Sequence, residues 1–242
     1  MAVIIELKHV SFSAQHKDIV RDVSHQFEAG KTTALVGPSG GGKSTVLKLS
    51  AGLLVPSKGT VRFRGQDVSF MNREQNLAFR REGAVVFQDS ALWANQNLDQ
   101  ILELPLRIHF PRMTKPEREQ RIQEVLTEVG YKKELSIRPA ELSMGEQKLI
   151  AFARALLCQP WLLFLDEWTE SLDDAAAHRL ISIVQERQAA QHTIIFVTHN
   201  LSLIKRLADY ILVISGGTLS MRLTKEAITS DEDLVRYIEG IL

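Results

Sequence analysis

The chain has 242 residues, enough for one large core with a compact insertion. Lys plus Arg and Asp plus Glu both total 29, so no global charge bias points to nucleic acid or anionic lipid. Cys158 is the single cysteine, which excludes an intrachain disulfide, and no apolar run reaches the roughly 18 residues that a membrane span needs.

The N-terminal segment reads as β-hairpin material, with partly alternating apolar residues at 3–7, 10–12 and 23–27. Glu6 falls inside the first of these and Lys8 directly after it, and the N-terminus has no signal-peptide pattern. The seven histidines show no short metal-ligand spacing. The expectation is a soluble cytoplasmic protein whose membrane role, if it has one, depends on a partner.

Residues 33–36 form a short apolar strand that runs into Gly37, Pro38, Ser39, Gly40, Gly41, Gly42, Lys43, Ser44 and Thr45. This fits G-x-x-x-x-G-K-[ST], and the apolar residues 46–49 continue it as a helix face. Glycines let main-chain N–H groups turn inward around anionic oxygens, and the following helix adds free N–H groups and its positive dipole end. Lys43 is placed to reach the β- and γ-phosphates of a nucleotide, and the Ser44 hydroxyl to hold Mg²⁺.

Residues 59–65 alternate as a strand that ends at a glycine, and 84–87 form a continuous apolar run, as expected for a strand buried on both faces. From Gln88 to about Leu157 the pattern is helical. Thr114, Pro116 and Glu117 open a helix, Ile122, Val125, Leu126 and Val129 follow at helical spacing, and Gly130 closes it. Ser143 and Glu146 form another capping box, predicting a helix over 146–157 with Leu149, Ile150, Ala153 and Leu156 inward. The strand signal returns at 162–165 before Asp166-Glu167, and at 193–197 before Thr198-His199, with an Ala/Leu/Ile-rich helix between. Asp166 is suited to position Mg²⁺, and Glu167 to orient or deprotonate an attacking water. Alternating strands and helices predict a parallel sheet with helices on both faces, interrupted by a helical insertion.

Together these residues resemble the ATP-binding subunit of an ABC transporter along nearly the whole chain. Residues 37–45 resemble the Walker A loop, Gln88 the Q-loop glutamine, and 142–147 the LSGGQ signature. Asp166-Glu167 is similar to Walker B with its catalytic glutamate, 171–173 to the D-loop, and His199 to the switch histidine. The resemblance implies an α/β P-loop NTPase core with a mainly parallel sheet, an N-terminal antiparallel β-subdomain and an inserted α-helical subdomain. It implies a single ABC ATPase domain, with 1–87 and 158–242 as the RecA-like core and 88–157 as the helical signature subdomain.

It further implies that two subunits, as a homodimer, sandwich ATP and Mg²⁺. Lys43, Ser44, Gln88, Asp166, Glu167 and His199 would come from one subunit, and Ser143, Gly145 and Asp173 from the other. The catalytic set would be Glu167, His199, Lys43 and Gln88; Ser44, Gln88 and Asp166 would hold the metal. Integral membrane permease subunits would dock near residues 88–93, placing the protein on the cytoplasmic face of the cell membrane. Leu92 and Trp93 could be exposed contacts for that partner or buried core of the insertion.

Several positions depart from the family pattern. Met144 stands at the first glycine of the signature, Glu146 at a common glutamine, Leu149 at a frequent arginine, and Trp168 at the proline after the catalytic glutamate. The adenine-stacking aromatic falls near Ala14, leaving Phe12 or His16 as candidates. Residues 90–92, 104–107 and 233–240 are also similar to ATPases of the Mce/Mla phospholipid-transport group. That second resemblance implies a lipid cargo and a lipid-binding accessory subunit. The apolar tail (Leu234, Val235, Tyr237, Ile238, Ile241, Leu242) would then pack either on a partner or on its own core.

Overall fold

A computed structural model describes residues 2–242. The hairpin segments merge into two long strands, β1 (Val3–Ala14) and β2 (Lys17–Glu28). A register shift between Leu7 and Val10 absorbs the break in alternation, with His9 at φ 51°. These strands pair with β4 (Lys58–Phe63) and β5 (Gln66–Asp67) in a four-stranded antiparallel sheet of order β2-β1-β4-β5.

The second sheet contains β3 (Thr32–Val36), β6 (Gly83–Val86), β7 (Leu162–Asp166), β8 (Thr193–Val197), β9 (Tyr210–Ser215) and β10 (Thr218–Thr224). Its order is β10-β9-β3-β8-β7-β6; only the β10–β9 edge pair is antiparallel. Every residue of β3, β7 and β8 is buried, as central parallel strands require. β6 corrects the reading of 84–87 as buried on both faces. It is the sheet's edge strand, so three of its four residues are half-buried. Residues 210–214, an apolar run too short to cross a membrane, form most of β9.

Successive side chains on the central strands point to opposite faces. Ala34, Val36, Leu163, Leu165, Ile194 and Phe196 belong to one buried cluster. Leu35, Leu162, Phe164, Ile195 and Val197 belong to another. The second cluster is closed by α1 (Lys43–Ser50) and the antiparallel sheet, joined by Phe79 of α2 (Arg73–Glu82). The first is closed by α3 (Leu98–His109), α4 (Lys115–Val129), α5 (Met144–Leu156), α6 (Asp174–Ala189) and α7 (Leu201–Leu207). Between β6 and β7 the chain is helical: α3, α4 and α5 all fall there.

The end of the chain forms α8 (Lys225–Ser230) and α9 (Glu232–Ile241). Ile238 is fully buried, and Ile241 and Leu242 pack on the first cluster. The tail therefore covers its own core, the second of its two readings. Leu92 likewise packs on the core, whereas Trp93 is 44% exposed. No helix among the described residues is long and apolar enough to cross a membrane.

Candidate nucleotide site

The loop after β3 is held in a shape that side chains would prevent. Gly37 has φ 138°, and a Cβ there would lie 2.1 Å from the Ile214 carbonyl oxygen. Gly42 caps α1 at φ 101°, where a Cβ would meet the Ile19 carbonyl oxygen at 2.9 Å. The main chain thus wraps tightly against β9 and β2 and frees the N-terminus of α1 to face the cavity.

That cavity, of about 280 Å³, is lined by Ser39, Gly40, Gly41, Gly42, Lys43, Ser44 and Thr45 from the loop. Ile19, Gln88, Glu167, Val197 and His199 close it from other elements. Lys43 is buried, and its Nζ donates to the Gly37 and Pro38 carbonyl oxygens at 2.7 and 3.0 Å. Burial pulls its pKa below the usual lysine value, while the Glu167 and Asp166 charges partly oppose that shift. Gly37 and Pro38 lie outside the cavity lining and act here through those carbonyls.

Ser44 Oγ donates to Asp166 Oδ1 at 2.8 Å, pairing a hydroxyl and a carboxylate at the end of β7. Both are oxygen donors suited to Mg²⁺. Asp166 is buried, and desolvation raises its pKa against the opposing Ser44 bond. Glu167 follows it at φ 42°, a backbone region that is costly outside glycine and that turns the side chain into the cavity. Its Oε1 is buried without a hydrogen-bond partner. His199 Nε2 stands 3.4 Å away, at ion-pair distance. Burial first, then the neighbouring Glu170 and Asp166, raise the Glu167 pKa, with His199 opposing. A buried carboxylate facing a histidine, in one cavity with a buried lysine and near a hydroxyl–carboxylate pair, fits a magnesium nucleotide with an attackable phosphate.

His199 Nδ1 contacts the Leu242 main-chain oxygen at 2.6 Å, so the end of α9 rests against this histidine. Gln88 is exposed, and its Nε2 donates to Glu170 Oε2 at 3.2 Å.

Ser143, Gly145 and Asp173 do not line this cavity. Ser143 is exposed at the N-terminus of α5, where its Oγ accepts from Glu146 N at 3.2 Å and its own N–H donates to Glu146 Oε2 at 2.9 Å. Glu146 also pairs with Lys133 at 2.6 Å, which holds its carboxyl below the usual range. Gly145 lies against the Ser171 carbonyl oxygen, 2.8 Å from where a Cβ would stand. Asp173 caps α6 by accepting from Ala176 N at 2.7 Å. These three residues therefore occupy a surface of their own, around the start of α5 and the 171–173 turn.

Met144 is 71% exposed, so the substitution at the signature places a thioether on this surface and strains nothing inside the subunit. Trp168 is fully buried and stacks on Phe152 of α5 at 5.7 Å between centroids. Neither adenine-stacking candidate reaches the cavity: Phe12 packs on the second cluster, and His16 sits exposed in the β1–β2 turn. Sequence reasoning missed Ile19, whose role depends on tertiary contact alone. It also missed Lys148, although a lysine inside the apolar register of α5 was a visible signal.

Comparison with known proteins agrees with this geometry. The family profile described as ABC transporter matches residues 20–170. The "Uncharacterized ABC transporter ATP-binding protein YejF" of Escherichia coli (strain K12) is 38% identical over 206 residues, 84% of this chain and 39% of that protein. This chain thus spans well under half of that relative. The "Nickel import ATP-binding protein NikE" of Shigella flexneri serotype 5b (strain 8401) is 35% identical over 96% of this chain and 89% of its own length. Among solved structures, "Dimeric Structure of MJ0796, a Bacterial ABC Transporter Cassette" superposes with a TM-score of 0.84 at 25% identity, covering 92% of this chain and 99% of that one. On the phosphate cradle, the acidic strand end and these likenesses, the chain belongs to the ABC transporter family as one of its ATP-binding subunits.

Proposed function

We propose that this ATP-binding subunit, which hydrolyses ATP with Mg²⁺, powers a membrane transporter through ATP-driven pairing of two copies. The observation that carries the reading is the buried Glu167 carboxylate, which faces His199 at 3.4 Å and stands in the cavity with Lys43 and near the Ser44–Asp166 bond. Lys43 neutralises phosphate charge, Glu167 takes the proton of the attacking water, and His199 stabilises the reacting phosphate. Ser44, Asp166 and Gln88 would hold Mg²⁺, which supplies charge neutralisation at the β- and γ-oxygens.

Ser143, Gly145 and Asp173, set away from that cavity, serve the nucleotide of the second copy. ATP then closes the pair because contacts to both copies exist only in the closed state. The dimeric cassette that shares the fold supports this arrangement. Residues 1–87 and 158–242 act as the catalytic core and 88–157 as the docking and signature subdomain. Trp93, exposed on the latter, is offered to an integral membrane permease on the cytoplasmic side.

The cargo reading shifts from the sequence expectation. The lipid cargo and lipid-binding accessory subunit find no support among the relatives compared. NikE proteins are named for nickel import, and import of a metal or similar small solute is the reading they support. Uptake of radioactive nickel by cells carrying this subunit and its permease tests it; unchanged uptake on deletion removes nickel as cargo.

Glu167→Gln is expected to lower the ATP hydrolysis rate by about a hundredfold or more and to accumulate an ATP-bound dimer in size-exclusion chromatography. An undiminished rate removes Glu167 from its assigned role.

A further inference from the structure

Lys148 sits on α5 with 2% exposure, and among the described residues no carboxylate stands within ion-pair distance of it. Its Nζ donates to the Gln88 carbonyl oxygen at 2.6 Å and to the Phe87 carbonyl oxygen at 3.3 Å, with the Glu167 carbonyl oxygen at 3.5 Å. One buried ammonium therefore touches the main chain of the glutamine segment and of the catalytic carboxylate. The cation itself projects from the helix that begins at Ser143.

A second cation on the same helix completes the hold. Arg154 donates to the Ala91 and Ser90 carbonyl oxygens at 2.7 and 3.1 Å. Ser90 and Ala91 have φ of 62° and 45°, a strained turn for residues with a Cβ. The carbonyls of Phe87, Gln88, Ser90 and Ala91 are thus all fastened to α5. Trp168, the residue after Glu167, locks into the same helix against Phe152.

Burying an ammonium among carbonyls is a poor way to gain stability, because desolvation outweighs what uncharged acceptors return. A methionine would fill the space at lower cost. What the cation adds is position, together with attraction from Glu170, Asp166, Asp89 and Glu167 around it.

We infer that Lys148 is a positioning residue for ATP hydrolysis. It registers the signature helix with Gln88 and with the main chain of Glu167, so that a displacement of Ser143 by the partner's nucleotide reaches this copy's own water-activating carboxylate. The inference rests on the roles proposed above for Glu167 and Ser143. Removing the ammonium leaves the phosphate cradle untouched, since Lys148 bonds the Gln88 carbonyl oxygen and approaches those of Phe87 and Glu167, and has no bond to 37–45. With the cradle residues 37–45 left in place, the defect is expected on turnover far more than on nucleotide binding.

The test uses the full chain. Lys148→Met is expected to lower kcat by about tenfold or more, while the dissociation constant for a fluorescent ATP analogue and the KM change by less than about threefold. In a Glu167→Gln background the same substitution leaves the ATP-bound dimer formed. A kcat within about twofold of the parent overturns the inference, as does a kcat loss matched by an equal loss of nucleotide binding, which marks a purely structural lysine. If Lys148→Met does not fold, Lys148→Gln, which keeps a donor without the charge, is read on the same scale. Glu167→Gln measured in parallel separates the two readings. Full activity there removes the base assignment and with it the route from Lys148, whereas an inactive Glu167→Gln beside an unimpaired Lys148→Met removes the role of Lys148 alone.

Discussion

At the scale of single residues, burial decides the chemistry. Lys43, Lys148, Asp166 and Glu167 are all buried polar groups near the nucleotide cavity, and desolvation shifts each toward its neutral form. Attraction between its positive and negative members opposes that shift at Lys43, Lys148 and Asp166. His25 shows what burial does without such balance. It sits on β2 of the antiparallel sheet, edge-on to Phe27 at 4.6 Å, with its pKa pushed down to about 4 by burial and then by Arg222, while Glu28 opposes. A histidine held neutral in the fold binds its proton only on unfolding, so its contribution is intact above its ordinary pKa and is lost as pH falls from about 6.5 toward 4. Over that window the wild-type protein is expected to lose about 2–3 kcal/mol of stability to this residue. His25→Phe should flatten that limb in urea melts taken at successive pH values, and an unchanged slope would rule out His25 as its source.

At the scale of elements, the sequence was most legible where a local rule sufficed. The Thr114–Glu117 box and Gly130 bound α4, with the glycine at φ 80°, because capping and a left-handed C-terminus are local chemistry. Ser143 and Glu146 opened α5 for the same reason. β6 was misjudged because an apolar run records only the capacity to be buried; whether a strand is central or at an edge is a property of its neighbours. The tail was ambiguous on the same ground. An amphipathic helix announces an apolar face and says nothing of what covers it.

α9 is fastened mainly by Ile238, with a cavity between it and α7 lined by Lys205, Ile228, Asp231 and Val235 among others. Ile238→Ala should cost about 2–4 kcal/mol within this element. Amide hydrogen exchange should speed up across residues 232–241 first, with β3 still protected. Uniform loss of protection across the chain would show that α9 is integral to the global unfolding unit.

At the scale of the whole molecule, the fold separates one set of residues from another. The cradle, Asp166, Glu167 and His199 meet at the carboxyl ends of β3, β7 and β8, as parallel strands with their crossovers on two faces dictate. Ser143 and Gly145 stand at the head of α5, outside that cavity, as the proposed pairing of two copies requires. Ser143→Trp should reduce ATP-driven dimerisation of the Glu167→Gln form by about tenfold or more, leaving nucleotide binding by the isolated subunit within about twofold. If monomer binding fell equally, Ser143 would belong to the cavity of its own chain.

The glycine loop and the lysine and hydroxyl that line the cavity with it were legible in the sequence alone, because they are contiguous. Asp166 and Glu167 were legible because a strand end delivers them together. Only the tertiary structure decided that Lys148 reaches under Gln88 and Glu167, that Ile19 closes the cavity, and that Leu242 rests on His199. The Lys148–Gln88 contact spans 60 residues of chain and the His199–Leu242 contact spans 43, so neither leaves a trace in its own segment. Local chemistry leaves a mark in local sequence; which distant carbonyl a buried cation finds is decided when the layers pack.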